Sequence, residues 1–136
     1  PELMAAEARQ GEQSAEPIAL AARVAADAGR AACLVSFTTT GTSARKMVRE
    51  RPTQPVMALT PRIETGRRLA LVWGLETEVT QEIHSFEEMT DLAVRAVVDV
   101  GLAKAGDRIV IVAGAPFGAP GATNLIRMAY VPRART

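Results

Sequence analysis

The chain has 136 residues, with 16 lysines and arginines against 15 aspartates and glutamates and a net charge of +1. That length suits one compact domain, and 48% hydrophobic with 23% charged residues is the composition of a globular chain, not a disordered one. So small a net charge excludes a broad electrostatic footprint for nucleic acid, and 4% aromatics leaves no stacking platform for single strands.

One cysteine, Cys33, permits no internal disulfide and no cysteine-based zinc site, and the single His84 removes His-rich metal sites. No apolar run approaches the ~20 residues that span a bilayer, and the N-terminus lacks a basic-then-apolar signal pattern. A cytoplasmic globule is expected, with neither membrane nor nucleic acid among its partners. The start at Pro1, without a methionine, points to a processed protein or an excised domain.

Residues 1–13 are polar and rich in Ala, Glu and Gln, and read as a lead-in or loosely held helix before a single domain over 14–136. A helix is expected from Ser14, with Pro17 in its first turn, a face of Ile18, Ala21, Ala22, Ala25 and Ala28, and a stop at Gly29. Ala32 to Phe37 is a short apolar run of buried-strand type. It opens into Thr38-Thr39-Thr40-Gly41-Thr42-Ser43, and Ala44 to Glu50 reads as a helix ended by Pro52. Val56 to Leu59 reads as a second strand. Thr60-Pro61 reads as the start of a helix reaching Leu69, and Ala70 to Trp73 as a third strand.

Ser85-Phe86-Glu87-Glu88 is a capping box, followed by an apolar stripe of Met89, Leu92, Ala93, Ala96, Val97 and Val100. Gly106-Asp107 turns the chain into Ile109 to Ala113, the strongest strand pattern. A Gly and Pro loop, Gly114 to Gly121, leads to a last strand, Leu125 to Val131. Helices alternating with short apolar strands predict an α/β sandwich with a mainly parallel sheet. The last connection is too short for a parallel crossover, so the final strand is expected antiparallel at an edge.

The most informative stretch is Phe37 to Arg45, where a strand ends and five hydroxyl residues and a glycine precede a helix. Unpaired amides at a helix start suit an anion. Thr38, Thr40, Thr42 and Ser43 can add hydroxyls, and Arg45 can add charge. The same residues also suit a plain, well-capped turn. The Gly114, Gly118 and Gly121 loop is a second place for close approach to a ligand, but it fits neither a Walker loop nor a dinucleotide fingerprint. Glu87 and Glu88 are explained by capping, Cys33 by a buried strand position, His84 by the surface and Trp73 by packing. No catalytic or metal-ligand constellation remains.

Thr40 to Arg45, Arg51-Pro52 with Pro55 to Thr60, Trp73-Gly74, Lys104 to Asp107 and Gly121-Ala122-Thr123-Asn124 occur in one order and spacing. This series resembles the C-terminal domain of pyruvate kinase, over about Glu16 to Val131. The resemblance implies a three-layer α/β/α sandwich with a five-stranded mixed sheet whose last strand is antiparallel. Pyruvate kinases move a phosphoryl group between phosphoenolpyruvate and ADP with magnesium and often potassium. Their catalytic residues lie in an N-terminal barrel, to which nothing here is similar.

The C-terminal domain supplies a tetramer interface and, in many members, a site for phosphorylated effectors. The resemblance therefore implies a regulatory and oligomerisation domain that is inactive alone, needs no cofactor of its own and self-associates. Its implied effector site is Thr38, Thr39, Thr40, Gly41, Thr42, Ser43 and Arg45 with Gly118 and Gly121. Met89 stands where sugar-bisphosphate-regulated members carry an Arg, their Trp-bearing stretch is absent, and Thr42 stands where many have a basic residue. A monophosphate effector, or none, is left open. The alternative is a free-standing phosphometabolite-binding or protein-interaction module on the same fold.

Overall fold

A long helix, α1 (Glu2–Gly29), opens the computed structural model and leads into a five-stranded sheet. The structure describes residues 2–114 and 123–133, with side chains described from residue 16 onward. The helix begins well before the expected start at Ser14, and Pro17 lies inside it. Proline removes one intrahelical bond, but the surrounding Ala, Glu and Gln are strong helix formers and carry the helix across it. Ala19, Ala22 and Ala26 form its buried stripe, whereas Ala21 and Ala28 are exposed. Neighbouring alanine stripes are equivalent in sequence, and the position of the sheet selects between them.

The remaining elements are β1 (Cys33–Phe37), α2 (Thr42–Arg49), β2 (Val56–Thr60), α3 (Ile63–Leu69), β3 (Leu75–Val79), α4 (Phe86–Asp99), β4 (Arg108–Ala113) and β5 (Leu125–Tyr130). The sheet order is β3-β2-β1-β4-β5. The first four strands are parallel, and β5 runs antiparallel to β4 at the edge, as its short connection requires.

Alternation along the strands divides the core into two layers. Cys33, Val35, Met57, Leu59, Ile109 and Ile111 pack under α4, against Met89, Ala93 and Val97. Leu34, Val56, Val110 and Val112 pack on the opposite face, against Ala22 and Ala26 of α1 and Met47 of α2. Leu69 of α3 joins that second side through Ala44 and Ala58. Thus α1, α2 and α3 cover one face and α4 covers the other.

Local chemistry sets several boundaries. Ser85 caps α4, its hydroxyl accepting from the Glu88 amide at 3.0 Å. The Glu88 carboxylate reaches back to the His84 amide at 3.4 Å, one residue earlier than an ideal capping box. Val100, expected in the α4 stripe, is exposed past the helix end. Arg108 donates to the Gly29 carbonyl at 3.2 Å and to the Tyr130 hydroxyl, joining the end of α1 to β4 and β5. Lys46 of α2 lies 2.6 Å from Glu16 of α1 and, as hydrogen-bond donor and neighbouring cation, holds that carboxyl below the ordinary range.

Three expectations between residues 60 and 79 are corrected. Thr60 is a buried strand residue, and the N-cap of α3 is Arg62. The third strand is Leu75–Val79 and not Ala70 to Trp73, which forms a turn closed by Gly74 at φ +83°. At an edge only one face is covered, so the strand alternates apolar with charged residues and the neighbouring apolar run is the decoy. Trp73, expected to pack, is 93% exposed on that turn.

Candidate effector site

Backbone bonds set the start of the turn that follows β1. The Thr38 amide donates to the Leu59 carbonyl at 2.9 Å, holding Thr38 beside β2 after β1 has ended. The Thr38 hydroxyl then accepts from the Gly41 amide at 2.8 Å, folding the chain back on itself. Gly41 adopts φ +94° as the N-cap of α2, a conformation in which L side chains are strained. A Cβ there would lie 3.1 Å from Leu69 Cδ2, so the backbone shape favours glycine and a larger residue would also have to displace the Leu69 side chain.

A glycine N-cap leaves α2 without a side-chain cap, and its first turn carries no acidic residue. Amides of that turn therefore keep their capacity for an acceptor, with the positive end of the helix dipole behind them. Thr40 is exposed and Thr42 half-buried, with their hydroxyls 3.2 Å apart. These two hydroxyls and the amides behind them form the accessible surface of the turn.

Other predicted hydroxyls are used internally. The Ser43 side chain is buried, its hydroxyl 2.9 Å from that of Ser36, a fully buried residue on β1. Thr38 is equally buried. Thr39 contributes its carbonyl, which accepts from the Thr65 hydroxyl of α3 at 2.8 Å. Arg68 Nη2 in turn donates to Thr65 at 3.3 Å, bringing a guanidinium to the rear of the turn. Neither Thr65 nor Arg68 was marked by any sequence pattern, because the link is spatial. Arg45 is exposed on α2. Gly118 and Gly121 lie outside the described residues.

The turn sits where the connections diverge. From β1 the chain passes through α2 to β2, whereas β4, on the other side of β1, leads away to β5. Ser36 is paired with Val112, so β4 leaves the sheet at Gly114 beside the start of the turn. In open α/β sheets the crevice outside the carboxyl ends of the strands at such a switch point is the usual ligand position. Among the described residues no group of His, Cys, Asp or Glu could hold a metal ion. None of their helices is long and apolar enough to cross a membrane.

The family model that describes the pyruvate kinase alpha/beta domain matches residues 16–129. The chain belongs to this family. A pyruvate kinase from Methylorubrum extorquens is 38% identical over 131 residues, 96% of this chain and 27% of that protein. One from Geobacillus stearothermophilus is 41% identical over 97 residues, 71% of this chain and 16% of its own length. The crystal structure of a pyruvate kinase from Cryptosporidium parvum superposes with a TM-score of 0.78 at 28% identity, covering 88% of this chain and 23% of that one. The chain thus spans about a quarter or less of the pyruvate kinases it matches. Its mixed sheet with an antiparallel last strand is the α/β-domain fold of the family. Within this pyruvate kinase domain Met89 is fully buried in the α4-side core.

Proposed function

We propose that this domain is the regulatory and assembly part of a pyruvate kinase-type enzyme, and that it holds a singly phosphorylated effector at the β1–α2 turn. In that reading phosphoryl transfer between phosphoenolpyruvate and ADP belongs to the rest of the enzyme, and the isolated chain has no turnover. The observation that carries the reading is the uncapped first turn of α2 behind Gly41, at the carboxyl end of β1, with the Thr40 and Thr42 hydroxyls at its surface. Charge-assisted hydrogen bonds from such groups are each worth about 1.5–3 kcal/mol, against several kcal/mol of lost freedom on association. One phosphate should therefore bind in the micromolar to millimolar range.

Assembly is supported by a second surface. Leu20 and Val24 on α1 and Met128 and Tyr130 on β5 are exposed, and among the described residues β5 is an edge strand of the sheet. An edge of this kind suits two-fold pairing with a second copy.

Calorimetric titration of the chain with inorganic phosphate, a sugar monophosphate and a nucleoside monophosphate tests the effector reading. Replacing Thr40 and Thr42 together by alanine should weaken binding about tenfold, the equivalent of ~1.4 kcal/mol. If no anion binds, or if binding ignores both substitutions, the turn is a helix start and nothing more. Conversion of phosphoenolpyruvate and ADP by the purified chain would overturn the assignment of catalysis to the rest of the enzyme.

A further inference from the structure

The near-zero net charge conceals a segregation that the fold makes spatial. From Arg45 to Arg68 seven arginines and lysines stand against two glutamates, a net of +5. From Glu76 to Asp99 seven carboxylates stand against one cation, Arg95, a net of −6. The first segment forms α2, β2 and α3, and both helices lie on one face of the sheet. The second forms β3 and α4, and α4 covers the opposite face.

Side-chain direction keeps most of the two signs apart, Arg127 of β5, in register with Ile111, being an exposed cation on the α4 side. Arg45 and Arg49 of α2 and Arg67 and Arg68 of α3 are exposed, because Ser43, Ala44, Met47, Thr65, Gly66 and Leu69 occupy the inward positions of those helices. On β3, Glu76 and Glu78 are in register with Met57 and Leu59, whose side chains lie in the α4-side core. Both glutamates therefore project on the α4 side. Glu87, Asp91 and Asp99 recur at helical spacing on the exposed face of α4, with Arg95 as the one cation among them. An open depression of about 260 Å³ lies there, lined by Glu87, Glu88, Asp91 and Arg95 with Gln81 and Ser85.

We infer that the basic α2–α3 face and the acidic α4 face are a complementary pair, through which copies of this chain associate head to tail. Each copy carries both halves of the contact, on opposite faces of one sheet. The contact is therefore heterologous and does not close on itself as a two-fold interface does, so it builds open chains of copies. Guanidinium groups suit carboxylate partners through their planar fork of donors. An acidic depression on α4 gives an incoming arginine of the next copy a place to seat. This contact is separate from the apolar α1–β5 surface and does not depend on it. Because the faces are solvent-exposed, the attraction is weak and strongly screened, falling as the screening length drops from roughly 30 Å at 0.01 M salt to about 3 Å at 1 M.

Sedimentation velocity of the chain over a concentration series, at about 0.02 M and about 0.5 M sodium chloride, is the first test. The expected result is a weight-average mass that rises with concentration at low salt, to about twice or more its high-salt value. An apolar α1–β5 pair survives high salt, so it does not mimic this loss. The second test reverses charge at exposed positions. The variant Arg45→Glu with Arg67→Glu and the variant Glu87→Lys with Asp91→Lys should each lose the low-salt growth, and an equimolar mixture of the two should recover it. Masses equal at the two salt concentrations would overturn the inference. So would a low-salt mass that still exceeds the high-salt mass in either variant, or a mixture that stays as small as its components.

Discussion

Ser36 Oγ and Ser43 Oγ lie 2.9 Å apart, joining the central strand to the first turn of α2 inside the core. Ser36 is the one polar residue of β1 and is fully buried, so its hydroxyl needs a partner, and Ser43 supplies it. The bond holds the start of α2 against the sheet and turns Ser43 away from any ligand at the turn. Replacing either serine by alanine leaves the other hydroxyl buried and unpaired, at a cost of about 1–3 kcal/mol. The double alanine variant should lose less than the sum of the two, by roughly 1 kcal/mol, in urea denaturation. Strictly additive losses would show that the two hydroxyls do not depend on one another.

Gly41 and Gly74 both have positive φ, but only Gly41 is crowded. Its Cβ position lies 3.1 Å from Leu69 Cδ2, whereas nothing lies within 4 Å at Gly74. Gly74→Ala should therefore cost about 1–2 kcal/mol from the left-handed conformation alone. Gly41→Ala should cost more, because the Leu69 side chain must also shift. Urea midpoints of the two variants decide this, and equal midpoints would mean that Leu69 gives way freely.

Cys33 lies fully buried in β1, and burial, with a smaller contribution from Asp107, pushes its thiol from the ordinary 9.0 up to about 12. The folded state thus keeps its proton where the unfolded chain has lost it. This contribution is complete below about pH 9 and declines as pH rises toward about 12. The decline approaches ~1.4 kcal/mol per pH unit within that window. Comparing wild type with Cys33→Ala by urea denaturation at pH 8, 9 and 10 isolates it. The wild-type advantage should shrink as pH rises, and an advantage that is constant across the series would assign the titration to other groups.

Ser85 provides the side-chain cap of α4, whose inward residues carry much of one core layer. Ser85→Ala should lower stability by about 1 kcal/mol, and Ser85→Asp should retain most of it, because a carboxylate also accepts from the Glu88 amide. Thermal denaturation of both variants separates capping from a general effect of substitution at this position.

How much of the molecule is legible in its sequence follows from how local each signal is. β1, β2 and β4 are buried on both faces, so they appear as continuous apolar runs and their ranges are read within a residue. α4 announces itself through Ser85 and a 3.6-residue stripe. The direction of β5 follows from a connection too short to cross the sheet. β3 escapes this reading, because an edge strand alternates and resembles a loop beside the more apolar turn before it. The β1–α2 turn is visible as hydroxyls and a glycine, yet its pattern says nothing about where each hydroxyl points.

The sequence by itself determined the fold class, the hydroxyl-rich strand-to-helix turn and, through its ordered motifs, the family. Tertiary structure alone decided which groups of that turn face outward. Ser43 is claimed by a strand residue seven positions earlier, and Thr39 is held by Thr65 from another helix, with Arg68 behind it. It also decided that the arginines of α2 and α3 and the carboxylates of α4 stand on opposite sides of the sheet. Composition sums charge along the chain, whereas the sheet sorts α2 and α3 to one side and α4 to the other, and fields act through that arrangement in space.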